Sequence, residues 1–301
     1  MSTTAVERLV SWEEIQDIEL VILRRMKEYA LGAHQSDFHG SGFDLAGLRD
    51  WQPGDRPSAI DWAQSTLTNF SPLITREFDQ ESTASVIIVA DTSLSTRCGV
   101  DDTPIAKVIA RVVATLALAA AFFQDRVGLV ALDGNSRRLI VPPHAGKNHA
   151  MHCVDVYQEC LSRGAPVGRE HGEGDLAGLL RRRSLLPVVS DFLFDAPEAM
   201  LEEFAALAHW HDVLVVLVDS AFAFDLPPVT AGWFTGYDVE SGRTRLMSAR
   251  EVERLGEQVH EWQDRVEAVA RRLGLDIVRV APEAEHEALA EFLRSRRVRK
   301  R

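Results

Sequence analysis

The run Val86-Ile87-Ile88-Val89-Ala90 reaches Asp91 with no alternation of apolar and polar residues. A strand with one wet face alternates with period two, so an unbroken run of this kind needs cover on both faces. That is the position of a central strand in a parallel sheet, with helices layered above and below it. Comparable runs recur at 127–132, 186–190, 213–218 and 277–280. Helical patterns separate them at about 104–124, 146–161, 175–183, 198–209 and 249–273, and a last helix follows at about 283–296. Pro104 suits a first helical turn, where its missing N–H needs no partner. Asp133-Gly134-Asn135 is a hairpin signal leading into Leu139-Ile140-Val141, which puts an antiparallel strand at a sheet edge. A second hairpin, about 238–247, turns at Ser241-Gly242. Strands alternating with helices predict an α/β fold: a doubly wound, mostly parallel, Rossmann-like sheet with one antiparallel edge strand. Ligands of such sheets bind beyond the carboxyl ends of the strands, where the strand order reverses.

The residues before this pattern read differently. Ser11 and Glu14 form a capping-box pair, and Ile15, Ile18, Ile22, Met26 and Tyr29 make one helical stripe. From His34 to about Asp79, glycines and prolines interrupt a stretch still rich in Trp, Phe and Leu, which predicts a folded arm, not a linker. Within it Pro53-Gly54 marks a turn, and Trp51 and Trp62 are expected anchors. The expected organisation is therefore a helix and arm packed on the core (1–80), an α/β domain (81–296) and a basic tail (297–301). The stripe Val252, Leu255, Val259, Trp262, Val266, Val269, Leu273 reads as packing on the sheet, with a coiled-coil seam as the alternative. The longest apolar run, 112–123, is short of the roughly 20 residues a spanning helix needs. With no basic-then-apolar pattern at the N-terminus, no membrane contact and a cytoplasmic location are expected.

Charge narrows the partners. Lys and Arg number 33 against 45 Asp and Glu, a formal net charge of −12. That disfavours nucleic acid and suits a basic partner, or a site where a cation bridges to another acidic group. Three cysteines (Cys98, Cys153, Cys160) without CxxC spacing point to buried thiols in a reducing compartment.

Two strand ends carry the chemistry. The first strand ends in Asp91-Thr92-Ser93-Leu94-Ser95 and the fourth in Ser190-Asp191. Mg²⁺ takes oxygen ligands in octahedral array and keeps several waters, and two hydroxyls on one loop with carboxylates from strand ends supply such a shell. The competing reading is a serine-rich helix N-cap. His149 and His152 lie three apart on a helix but lack an HExxH context, so they read as surface histidines; His209 and His211 read as parts of a turn. Gly40, Gly42, Gly172 and Gly174 belong to no complete dinucleotide fingerprint. The chain has no GxxxxGK[ST] loop and no GxSxG elbow. Acid–base catalysis by Asp91 and Asp191 is thereby disfavoured, and the expectation is a binding protein, not an enzyme.

Several blocks resemble the MoxR-associated branch of the von Willebrand factor A-like superfamily, a domain of unknown function. They include Leu48-Arg49-Asp50-Trp51, Pro53-Gly54-Asp55-Arg56, Ile60-Asp61-Trp62, Asp125-Arg126-Val127-Gly128-Leu129, Val189-Ser190-Asp191-Phe192 and His211-Asp212-Val213. The resemblance spans about 37–296. It implies a metal-ion-dependent adhesion site in which Ser93 and Ser95 bind the cation and Asp91 and Asp191 support them. Mg²⁺ is the implied ion, with Mn²⁺ or Ca²⁺ as alternatives. The branch adds a threonine in a Gly-Thr-Asp-Leu loop; here Glu173-Gly174-Asp175-Leu176 puts Gly174 at that position, leaving Asp175 to contribute through a water. The resemblance further implies a MoxR-type AAA+ ATPase as partner, in chaperone-like maturation of a client protein. The rival expectation is a metal-independent structural scaffold that binds through the 40–62 arm. Gly174→Thr is expected to tighten Mg²⁺ binding in a calorimetric titration; an unchanged affinity would remove that loop from the site.

Overall fold

The computed structural model describes residues 8–31, 45–52, 60–78, 85–100, 103–133, 136–163, 180, 183–224, 233–238 and 243–289. The chain divides into two compact units, Met1–Met26 with Ala84–Arg301, and Lys27–Thr83. Labels below refer to the first, larger unit.

Its sheet has six strands: β1 (Ser85–Asp91), β2 (Arg126–Asp133), β3 (Ser136–Ala145), β4 (Ser184–Ser190), β5 (Asp212–Val218) and β6 (Asp276–Val280). They lie in the order β3-β2-β1-β4-β5-β6. All neighbours are parallel except β2 and β3, the antiparallel edge expected from the hairpin signal. The order reverses between β1 and β4, so these two central strands flank the switch point.

The unbroken apolar run of β1 is explained by its two covers. Val86, Ile88 and Ala90 belong to one core, shared with α1 (Trp12–Leu31), α2 (Ile105–Phe122) and α3 (Lys147–Arg163). Ile87 and Val89 belong to the other, shared with α4 (Pro197–Leu207) and α5 (Ala249–Arg272). Helix α2 is long and apolar enough to cross a membrane, and most of it is buried inside the fold. Counting only the apolar run after Arg111 hides this, because the helix starts at Ile105 and Lys107 and Arg111 are its only charges. The capping box at α1 is complete: Ser11 N donates to Glu14 Oε2 and Glu14 N to Ser11 Oγ. A second box, Ser248 with Glu251, starts α5. Val266 and Ala270 of α5 are buried, and Trp262, Val269 and Leu273 pack beside them, so this half of the stripe belongs to the core under the sheet, while Leu255 is exposed.

A hairpin pairs Trp233–Asp238 with Arg243–Ser248. The helix expected at 175–183, apart from Leu180 and Arg183, which are not helical, the Ser241-Gly242 turn and the basic tail lie outside the described residues, and the last helix is described over 285–289. In the second unit Leu45–Asp50 pairs antiparallel with Ile74–Phe78. Asp61 caps the helix Trp62–Leu67 by accepting from Gln64 N. Trp51 is half-buried, but Trp62 is exposed and is not the anchor expected of it.

Ile88 is fully buried in the central strand. Ile88→Ala is expected to cost about 2–5 kcal/mol in urea unfolding. Leu246→Ala, on the exposed hairpin, should stay within about 0.5 kcal/mol of the parent.

Candidate functional site

The loop after β1 is pinned by its own polar residues. Thr92 donates to the Leu132 carbonyl through both N–H (2.6 Å) and Oγ1 (2.5 Å), tying the loop to β2. Asp91 Oδ1 accepts from Ser93 N at 2.8 Å, and Thr96 Oγ1 donates to Ser93 O at 2.7 Å. A short 3₁₀ turn, Leu94–Arg97, follows. Ser93 holds its N-cap position, yet its hydroxyl makes no capping bond. It lies instead 2.9 Å from Ser95 Oγ. The serines therefore face each other across the strand tip, not the helix end.

From β4, Ser190 Oγ donates to Asp91 Oδ2 at 2.5 Å and accepts from Phe192 N at 2.8 Å. Asp191 Oδ1 accepts from Leu193 N (3.0 Å) and from Ser95 Oγ (3.3 Å). Asp91, Ser93, Ser95 and Asp191 thus converge above the switch point. Asp175, with Gly174, lies outside the described residues.

Three residues that hold this arrangement were not singled out as site residues. Tyr157 of α3 donates to the Asp91 carbonyl at 2.9 Å. Gln263 of α5 is wholly buried, and its Nε2 reaches the carbonyls of Asp191 (3.0 Å) and Val218 (2.8 Å) and Ser220 Oγ (2.9 Å). Trp262 Nε1 donates to Phe192 O at 2.8 Å. These bonds grip a strained point, because Phe192 has a φ of 54° while its side chain is fully buried. The one available signal was a glutamine beside the apolar stripe of α5.

The electrostatics are unusual. Asp91 and Asp191 are buried, and among the described residues neither pairs with a basic side chain. Burial raises Asp91 above the ordinary carboxylate range, against the hydrogen bonds from Ser190 and Ser93. Burial and the Asp91 charge push Asp191 up to about 7. Asp191 Oδ2 is buried with no hydrogen-bond partner among the described residues. A buried carboxylate is protonated, paired or bound to a metal, since its bare charge is costly away from water. Two hydroxyls and two carboxylates, the Asp191 one with an oxygen left unpartnered among the described residues, form an oxygen-only donor set that fits a hard divalent cation.

A family model described as "Protein of unknown function DUF58" matches residues 47–287. Uncharacterized proteins of Mycobacterium tuberculosis and Mycobacterium bovis are each 28% identical over 245 residues, covering 78% of this chain and 72% of theirs. Among solved structures, the conserved hypothetical protein BatB from Bacteroides thetaiotaomicron aligns with 15% identity and a TM-score of 0.41, over 70% of this chain and 98% of that one. An aerotolerance-related membrane protein from Bacteroides fragilis, carrying multiple mutations to serines, aligns with 13% identity and a TM-score of 0.40, over 70% and 99%.

Asp191 sets a pH dependence for the metal-free protein. Its folded value is raised, so its contribution to stability is fully present below the ordinary value of 3.8 and is lost as pH rises toward about 7. In EDTA, thermal melts should therefore fall across this window, and Asp191→Asn should flatten the fall. An equal slope in the variant would show that Asp191 does not titrate there.

Proposed function

This chain belongs to the DUF58 family of proteins of unknown function, and from that premise we propose that it is a non-enzymatic adaptor that grips a partner protein through a divalent cation. The observation that carries the reading is the pair of buried carboxylates, Asp91 and Asp191, beside two facing hydroxyls and without a basic partner among the described residues. Ser93 and Ser95 would hold Mg²⁺ directly, with Asp91 and Asp191 behind them. The cation supplies an open coordination position for an Asp or Glu of the partner. The chain's own residues prepare the place: Ser190 and the Ser93 N–H hold both oxygens of Asp91, and Tyr157, Gln263 and Trp262 hold the backbone of the two strand tips. An acidic chain, at a formal −12, thereby gains a local point of attraction for an acidic group.

The resemblance to the MoxR-associated branch supports a MoxR-type AAA+ ATPase as the partner, in cytoplasmic, chaperone-like maturation of a client. The absence of catalysis is supported by what the hydroxyls do. They bond to each other, and Ser95 also donates to Asp191, which occupies them structurally. A second reading, a metal-independent scaffold binding through the 40–62 arm, draws on the exposed Trp62, Leu67 and Phe70 in and beyond that arm.

Calorimetry should register Mg²⁺ binding by the parent chain, weakened at least ~10-fold by Ser93→Ala. Capture of the AAA+ ATPase should need Mg²⁺, fail in EDTA and fail for Asp91→Ala. Capture that survives both, and is lost in Trp62→Ala, would transfer the function to the arm.

A further inference from the structure

The hairpin that precedes α5 stands at the same end of the sheet as the paired carboxylates. Strand β5 runs parallel to β4, and β4 to β1, so Val218 lies at the carboxyl end of the sheet, as Asp91 and Ser190 do. From there the chain makes the short turn Ala221–Phe224, forms the hairpin of Trp233–Asp238 with Arg243–Ser248, and returns along α5. A ridge of contacts joins this hairpin to the site. Gly99–Val100, just past the Leu94–Arg97 turn, touches Ala221–Phe224. Phe224 lies against α5, where a Cβ on Gly256 would stand 3.4 Å from its own Cβ. Helix α5 then starts directly from the hairpin, with Ser248 as its N-cap.

The two faces of the hairpin differ. Residues paired across the strands share a face, and so do residues two apart along one strand. Trp233 pairs with Ser248 and Thr235 with Leu246, so Trp233, Thr235, Thr244 and Leu246 lie on one face. All four are exposed, Trp233 by 73% and Leu246 by 63%. On the other face Met247 is half-buried and lies over Gly236, where a Cβ would collide with its Cε. The inner face is filled, and the outer face is uncovered among the described residues.

Area and charge decide what covers it. Two such side chains present on the order of 250 Å², well below the ~800 Å² per partner of a stable interface. That is too little to hold a second copy of this chain, and it suits the extension of a contact made elsewhere. At the base of the hairpin Arg245, Arg250 and Arg254 are exposed. Glu253 is the exposed acid among them, while Glu251 is engaged by Ser248 and Arg245. Asp238 and Arg243 oppose each other at the tip. In a chain of net charge −12, this base is a local exception that favours an acidic group. We propose that, in the cation-held adaptor on which this inference rests, the outer face of the hairpin is a second contact for the same partner, taking an acidic segment that carries a large apolar side chain. A carboxylate on a cation admits almost any acidic surface, so choice among partners needs a further contact. Trp and Arg are the side chains from which such contacts draw most of their energy. Leu94, 42% exposed between the two site serines, begins the apolar path at its other end.

The test is selection of random twelve-residue peptides, displayed on phage, against the full chain in Mg²⁺. Fully extended, twelve residues reach about 40 Å, several strand spacings of about 4.8 Å. The selected peptides should be rich in Asp or Glu and carry a large apolar residue. In fluorescence polarisation Trp233→Ala should weaken them by ~10-fold or more, and Arg250→Glu less, with circular dichroism unchanged. EDTA should weaken them as well. Peptides that need Mg²⁺ but bind Trp233→Ala and Leu246→Ala as tightly as the parent would overturn the hairpin contact and leave the cation reading standing. Peptides that need Trp233 yet bind equally in EDTA would sink the cation reading, and the joint contact with it. Selection of no peptide, or of peptides without acidic residues, would overturn the proposal too.

Discussion

Two carboxylates buried side by side, with no basic group beside them among the described residues, are the constraint around which the larger unit is arranged. Such a pair opposes folding when both members are ionised, because each loses water and each repels the other. The protein offsets part of this with oriented donors. Asp91 takes hydrogen bonds from Ser190 and the Ser93 N–H, and Asp191 from Leu193 N–H and Ser95. What remains is Asp191 Oδ2, an acceptor with no donor among the described residues. Such an atom is tolerated in a core only when its charge is removed by a proton or offset by a partner.

The position of the pair follows from the layering. Because β1 is covered on both faces, its apolar residues are consumed by the two cores, and the first residue free to be polar is the one at its carboxyl end. The same holds for β4. Adjacency of β1 and β4 at the reversal of strand order then brings the two ends together without any special loop. The helices complete the enclosure from opposite faces. Tyr157 reaches the tip of β1 from one layer, while Gln263 and Trp262 reach the tip of β4 from the other. Gln263 also bonds to the end of β5, so one amide ties two neighbouring strand tips. The left-handed backbone at Phe192 is tolerated in this setting because bonds on either side define it.

Periodicity made the fold legible. Unbroken runs declared the central strands, Asp133-Gly134 declared the antiparallel edge, and strand ends declared Asp91, Ser93, Ser95 and Asp191. Other features were hidden for physical reasons. A glutamine on a mostly polar helix such as α5 carries no mark that it points inward, because its partners are backbone carbonyls from strands 45 and 72 residues away. The arm resisted a strand assignment because Leu45–Asp50 and Ile74–Phe78 pair across more than twenty intervening residues. The span of α2 was legible, but its apolar length was undercounted because Lys107 and Arg111 interrupt the run.

The antiparallel edge has one more consequence. Asp91 pairs with Leu132 at the end of β2, whereas His144 pairs with Val127 at its beginning. At about 3.3 Å per residue, the five steps between them put Asp91 and His144 roughly 16 Å apart, at opposite ends of one strand. A parallel sheet gathers its strand tips, and so its polar residues, at one end. Reversing a single edge strand delivers side chains to the other end, away from the switch point.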